Sequence, residues 1–379
     1  MRSRVQPYAT ALVPVRAEPD ILWRSRTGRR SAGPRALPVV KLRTAIVSLV
    51  SIGLLWWFLR HANLSDVWAE VHAADPARLV LGFVLVAATF WARAVRWQML
   101  LEPLGHTRFR STFRATIIGF AALGVLPARA GDVLRPYLLA RQEGHSVTAA
   151  FATIVMERIL DLVAVLTLLA VYVFGFADTS TMSPRALRSI EASASVASAI
   201  AGTLVVVVWA MAAHPERLAA LTAWCTRALP VGLGRRIATA VAHFGVGLSV
   251  ARSPGQFFLA LAYSMPVWFL GAAEVWAVTT AFGMTLPFAG SFLIQAMLVI
   301  GMAVPTPGGV GSFHEAYRFG MTSFFAAPNA SAVAAAIVLH ALSVVPVVIL
   351  GLVFMTQDGL TLGRLRSMAE SQKDAVAES

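Results

Sequence analysis

PTPGGVGSFHE, residues 305–315, breaks an apolar stretch with Pro305, Pro307, Gly308, Gly309 and Gly311, and PARAGDVLR, residues 127–135, breaks an earlier one. Neither segment suits a continuous helix, because proline removes a backbone donor and glycine adds conformational freedom. In hydrocarbon every backbone polar group needs a partner, so a helix breaks only where it lines protein or a water-filled cavity. Paired breaks in a chain with several spans therefore point to a substrate site of carrier type.

The rest of the chain supplies those spans. Of its 379 residues 57% are hydrophobic and only 13% charged, too few charges to coat soluble domains of this length. Apolar windows lie at 44–59, 79–100, 149–176, 192–213, 256–283, 287–305 and 330–355. Most reach the ~20 residues that cross ~30 Å of hydrocarbon. They are continuous runs without the alternation of an outer-membrane strand, so the fold class is all-α, a polytopic helical membrane protein. Cys225 is the single cysteine, which excludes an internal disulfide and a thiolate metal cluster. A net charge of +13 would suggest nucleic acid in a soluble chain. Here it fits the positive-inside rule instead, and no nucleic-acid partner is expected.

Residues 1–43 carry ten Lys or Arg without periodicity and read as a disordered basic cytoplasmic arm. The window at 44–59 lacks a cleavage site and reads as an uncleaved anchor, opening a transmembrane domain over 44–355 that a cytoplasmic tail, 356–379, follows. Connecting segments at 60–78, 102–114, 177–191 and 214–255 differ in charge: 102–114 holds three Arg against one acid, and 214–255 five Arg against one. Seven full crossings would put the tail outside, against Arg364, Arg366 and Lys373. That conflict vanishes if 287–305 and 312–327 form a hairpin entering from the outer face, and 115–127 with 131–146 a matching hairpin from the cytoplasmic face. Six crossings, two oppositely facing re-entrant hairpins and an inverted repeat result. Both termini are then cytoplasmic, in a multi-pass protein of the cell inner (plasma) membrane.

Ionisable residues cluster near the breaks. If the chain is helical from Gly131, Asp132 and Arg135 share a face, which leaves Arg129 to offer its donors to a phosphate. Glu157 and Asp161 lie one turn apart in an otherwise apolar window with Arg158 about 100° away, and intramembrane charges of this kind face a cavity or a partner. The arginines of the preceding break are their expected partners; alternatively the whole group is a salt-bridge cluster at the interface. In the second break Gly308, Gly309 and Gly311 free backbone N–H groups that an anion can use. Ser312 is placed to cap the following helix, with His314, Glu315 and Arg318 in its first turns. Glu274, deep in 256–283, is a candidate for proton coupling. Arg93 and Arg96 read as snorkelling side chains at the end of their span, Trp97 as part of an aromatic belt, and His340 as a packing residue. No GxxxxGK[ST] loop, HExxH or DxD motif occurs, and no cofactor or metal is expected.

The segments ARAVRWQMLLEPLG (92–105), GVLPARAGDVLRPYLLARQEG (124–144), ATIVMERILDLVAVL (152–166) and PTPGGVGSFHEA (305–316), in that order, resemble the lysylphosphatidylglycerol synthase transmembrane-region family. This flippase-like domain is also the membrane half of the multiple peptide resistance factor. The resemblance implies an integral membrane protein that translocates lipid, with a polar cavity between two re-entrant elements. Two-domain relatives append an aminoacyl-transferase module, and the short tail here makes that activity unexpected. The family acid stands three residues after the last glycine; His314 occupies that place here, and Glu315 follows.

Taken together, these readings lead to the expectation of a lipid flippase or scramblase that is not an enzyme, with a membrane phospholipid or glycolipid as its partner. Its substrate-binding residues would be Arg129, Asp132, Arg135, Glu157, Arg158, Asp161, Gly308, Gly309, Gly311, His314 and Glu315. Two other readings stay open. One is a noncatalytic protein recruiting a cytoplasmic synthase; the other is a lipid or sugar transferase with Glu157 or Asp161 as general base.

Overall fold

A computed structural model describes residues 63–125, 130–176, 214–227, 254–304 and 306–358, with isolated positions within 53–56, 192–210 and 232–245. The basic arm, the tail after 358, Pro127, Arg129, Pro305 and most of the windows at 44–59 and 192–213 lie outside the described residues. Every regular element among the described residues is helical. In chain order these are α1 Leu64–Ala73, α2 Pro76–Leu101, α3 Phe109–Val125, α4 Ala130–Glu143, α5 Val147–Gly175, α6 Pro215–Thr226, α7 Pro254–Ala281, α8 Gly290–Ala303, α9 Ser312–Phe324 and α10 Asn329–Gln357.

Local chemistry sets several of the starts. Asn63 caps α1 by accepting from the Ser65 N–H at 3.1 Å, and Asp75 caps α2 from the Ala77 N–H at 2.9 Å, with Pro76 in the first-turn position that tolerates it. Among the described residues three helices, α2, α7 and α10, are long and apolar enough to cross a membrane. On α2 the outward residues Val80, Phe83, Val84 and Trp91 are exposed, while Val86, Ala94, Trp97, Leu100 and Leu101 are buried. A large apolar exterior on a chain with packed inner faces suits hydrocarbon better than water. Helices α2 and α7 run antiparallel: the Asp75 N–H donates to the Ala281 carbonyl at 2.8 Å, and Arg78 Nη1 to the Thr280 carbonyl at 2.7 Å.

Two pairs of short helices complete the arrangement. At 17, 14, 14 and 13 residues, α3, α4, α8 and α9 are each too short to span alone. The pair α3–α4 opens at one end of the bundle, where Arg108 Nε meets Glu143 Oε1 at 3.2 Å. The pair α8–α9 opens at the other, where Gly290 lies against the Phe325 ring. Their closed ends meet: a Cβ added at Gly308, itself at φ +60°, would stand 2.8 Å from the Gly124 carbonyl. Glycine brings each pair together. A Cβ at Gly119 would stand 2.7 Å from the Arg135 Cβ, and one at Gly301 the same distance from the Ala316 Cβ. Gly131 belongs to this close contact inside α4.

Two connecting segments differ from the sequence reading. Helix α3 begins at Phe109, so Arg110 and Arg114 stand on its first turns rather than in a loop. Arg114 Nη2 reaches Asp358 Oδ1 at 2.6 Å, just past the end of α10. The segment 214–255 contains α6, with Pro215 at its start.

Candidate functional site

Helix α5 passes the closed end of the α3–α4 pair and presents Glu157, Arg158 and Asp161 to it. Glu157 is wholly buried between two arginines, Arg135 Nη1 at 2.9 Å and Arg96 Nη2 at 3.2 Å. Asp161 accepts from Arg96 Nη1 at 2.5 Å and from Trp268 Nε1 at 2.8 Å, and lies 3.4 Å from Arg158 Nη1. Arg158 reaches back to Asp132 Oδ1 at 2.7 Å. Alternating charges thus tie α2, α4 and α5 together, and α7 joins them through Trp268 and through Ser264 Oγ, which accepts from Arg96 Nη1 at 3.2 Å. Buried charges survive only when paired in this way, because each would otherwise lose its hydration without compensation.

Aromatic rings finish the network. The Arg135 guanidinium lies 3.9 Å from the Trp97 ring centroid, and Trp97 Nε1 donates to Thr153 Oγ1 at 2.9 Å. Arg96 and Trp97 are both 0% exposed. That overturns the sequence reading of Arg96 as a snorkelling side chain and Trp97 as part of an interfacial belt. Two acids of α5 on one face needed two cations, and Arg96 is the second. Arg135 does pair with α5, at Glu157, as the sequence suggested, whereas Asp132, read as sharing a face with Arg135, pairs with Arg158. Arg129 is outside the described residues.

Beside this network a cavity of about 500 Å³ opens between α2, α3, α5, α7, α8 and α10. Its walls are mostly apolar, but Arg93, Arg158, Asp161, Glu274, Gln295 and Ser343 reach it. The two helix breaks close it through Gly124 and Gly308. Arg93 makes no ion pair among the described residues; its guanidinium stands 5.2 Å from the Phe120 ring and 5.7 Å from the Trp268 ring. Arg158, with 37% of its side chain exposed, is the network member most open to the cavity. Glu274 accepts from Ser343 Oγ at 2.6 Å.

Of the residues singled out in the second break, only Gly308 lines the cavity. His314 Nδ1 accepts from the Gly311 N–H at 3.2 Å and its ring stacks on His340 with centroids 4.7 Å apart. Ser312 does not cap α9; its hydroxyl meets Thr306 Oγ1 at 2.9 Å. Glu315 pairs with Arg318 in the first turns of α9. The sequence reading missed Arg93, Arg96 and Gln295. The signal for the two arginines was their position among residues that face inward on α2.

The chain matches the family model described as Lysylphosphatidylglycerol synthase TM region over residues 44–351. It is 25% identical to the glycosyltransferase AglD of Haloferax volcanii, over 90% of this chain and 57% of that protein. It is also 25% identical to a UPF0104 membrane protein of Methanothermobacter thermautotrophicus, over 72% of this chain and 83% of that one. A UPF0104 membrane protein of Methanocaldococcus jannaschii is 23% identical over 35% of this chain and 40% of its own length. The chain therefore spans little more than half of the Haloferax protein. The expectation that the chain is not an enzyme is corrected here, because a relative aligned along nine-tenths of it bears the name of a glycosyltransferase.

Proposed function

We propose, from the premise that the chain belongs to the lysylphosphatidylglycerol synthase transmembrane-region family, that it moves the polar headgroup of a membrane lipid between leaflets. One observation carries the reading: a cavity of about 500 Å³ where the closed ends of two short-helix pairs meet, bounded by the buried charge network of α5. A charge inside hydrocarbon costs roughly 2.5–3.5 kcal/mol on insertion scales, so a protein that only packed against lipid would gain nothing from placing several there. The headgroup occupies the cavity while its acyl chains stay in lipid. In this proposal α3–α4 and α8–α9 are re-entrant hairpins from opposite faces, six further segments cross the cell membrane, and both termini are cytoplasmic. Arg158 passes the headgroup onward by exchanging Asp132 for it, and Glu274 couples proton movement to the step.

The test is a headgroup-accessibility assay in proteoliposomes containing the full chain and labelled anionic lipids. Arg158→Gln abolishes translocation while insertion and fold persist; an unchanged rate removes Arg158 from the mechanism. A second reading has support from the name of the Haloferax relative: the cavity holds a lipid acceptor for glycosyl transfer, with Asp161 or Glu157 as base. Incubation of the same vesicles with a nucleotide sugar separates the two, because transfer yields a heavier lipid and movement does not.

A further inference from the structure

The polar groups of the cavity are sorted by chemistry along its length. Val86, Thr89 and Arg93 of α2 face Trp268, Gly271 and Glu274 of α7 across it. Because α2 and α7 are antiparallel, with Gly82 against Val278, Arg93 lies level with Trp268, and Glu274 lies nearer the Gly82 end. Six residues of helix separate Trp268 from Glu274, about 9 Å at the rise of an α-helix. The cavity thus has one end with Arg93, beside which Arg158 and Asp161 pair, then Gln295 packed on Gly271 part-way along, and a second end where Ser343 meets Glu274.

These ends suit different parts of one ligand. At the first, the Arg93 guanidinium lies between two aromatic rings and makes no ion pair among the described residues, while the neighbouring Asp161 engages Arg96 and Arg158. A planar fork of donors without a carboxylate partner is the arrangement that takes a phosphate oxygen pair. From Gln295 to the second end the cavity offers a carboxamide, a carboxyl and a hydroxyl, and the buried Gln295 Oε1 has no hydrogen-bond partner among the described residues. Hydroxyl groups both donate and accept, so they match this mixture.

We propose that this cavity selects a phosphodiester lipid whose headgroup ends in an uncharged polyol or sugar, with the phosphate on Arg93 and the hydroxyls on Gln295, Glu274 and Ser343. The proposal rests on the headgroup-binding reading above and names its substrate class. Its test uses the purified full chain in detergent with three dioctanoyl probes: phosphatidylinositol, phosphatidic acid and lysylphosphatidylglycerol. Phosphatidylinositol binds about tenfold more tightly than phosphatidic acid, as added hydrogen bonds in a dry site would give. Gln295→Leu brings that ratio towards one, and Arg93→Gln weakens both lipids about tenfold through loss of a charge-assisted contact. Arg93→Lys, which keeps the charge, restores part of the binding, so a folding defect in Arg93→Gln cannot pass for a binding effect. Equal binding of phosphatidylinositol and phosphatidic acid, or preference for the lysyl lipid, overturns the assignment. Leaflet exchange of the same headgroups, measured in vesicles, keeps the two readings apart. Selective binding without movement sinks the carrier and upholds the selectivity, whereas movement without selectivity does the reverse.

Discussion

Within the charge network, burial separates structural arginines from working ones. Arg96 and Arg135 are closed off from solvent and each holds Glu157. Removing either leaves a carboxylate buried with half its compensation, a change that costs about 3–5 kcal/mol in buried pairs. Arg96→Gln and Arg135→Gln therefore lower the thermal transition of the purified protein sharply. Arg158 is different, because part of its guanidinium already faces the cavity and can be rehydrated there. Arg158→Gln shifts the transition by about 1 kcal/mol or less, as partly exposed pairs do, yet stops leaflet exchange. Differential scanning fluorimetry beside the vesicle assay reads both; a large stability loss for Arg158→Gln would place it among the structural arginines. That Glu157 and Asp161 need partners, and that Arg135 is one of them, was legible in the sequence, since charges in a long apolar run demand partners. Arg96 was not, because an arginine followed by tryptophan near the end of an apolar window has the pattern of a snorkelling side chain. Only the rotation of α2 against α7 turns Arg96 inward.

At the level of elements, the short-helix pairs depend on close backbone approach. Gly119 and Gly131 bring α3 and α4 together, and Gly301 does the same for α8 and α9 against Ser312 and Ala316. Small residues at such contacts let backbones approach where hydrophobic association gives no drive. Gly119→Leu and Gly301→Leu wedge their pairs apart and cost about 1–3 kcal/mol each, the usual penalty of overpacking. Gly175→Ala is the control: no atom lies within 4 Å of its added Cβ, and the thermal transition stays in place. A wedge variant as stable as the parent would mean that the pairs do not need this contact. The breaks themselves were readable, since clustered Pro and Gly at membrane depth cannot continue a helix. Their neighbours were harder. Arg110 and Arg114 looked like loop charges, although Asp358 near the end of α10 neutralises Arg114 and lets α3 start earlier. Helix α6 was missed because its 12 residues carry no strong apolar periodicity.

For the whole molecule, the two ends of the bundle differ in charge and in which pair opens there. Arg108, Arg110 and Arg114 gather where α2 ends, α3 begins and α4 ends, and in the proposed orientation the positive-inside rule would put this cluster in the cytoplasm. The opposite end, formed by the α7–α8 and α9–α10 connections, holds no Lys or Arg between Gly283 and Gly290 or between Phe325 and Asn329. If both pairs are re-entrant, these ends face opposite compartments although the closed ends touch at Gly124 and Gly308. Single cysteines test this in a Cys225→Ser background, because Cys225 is the one native thiol. Glu102, Gln142, Thr285 and Pro328 are all exposed and suit the substitution. A membrane-impermeant maleimide added to intact cells labels Thr285→Cys and Pro328→Cys at once, and Glu102→Cys and Gln142→Cys only after permeabilisation. Labelling of Gln142→Cys and Pro328→Cys from the same side would mean that at least one pair crosses the bilayer as a unit. The closed ends would then no longer meet at a shared midplane, and the cavity between them would lose its access to both leaflets.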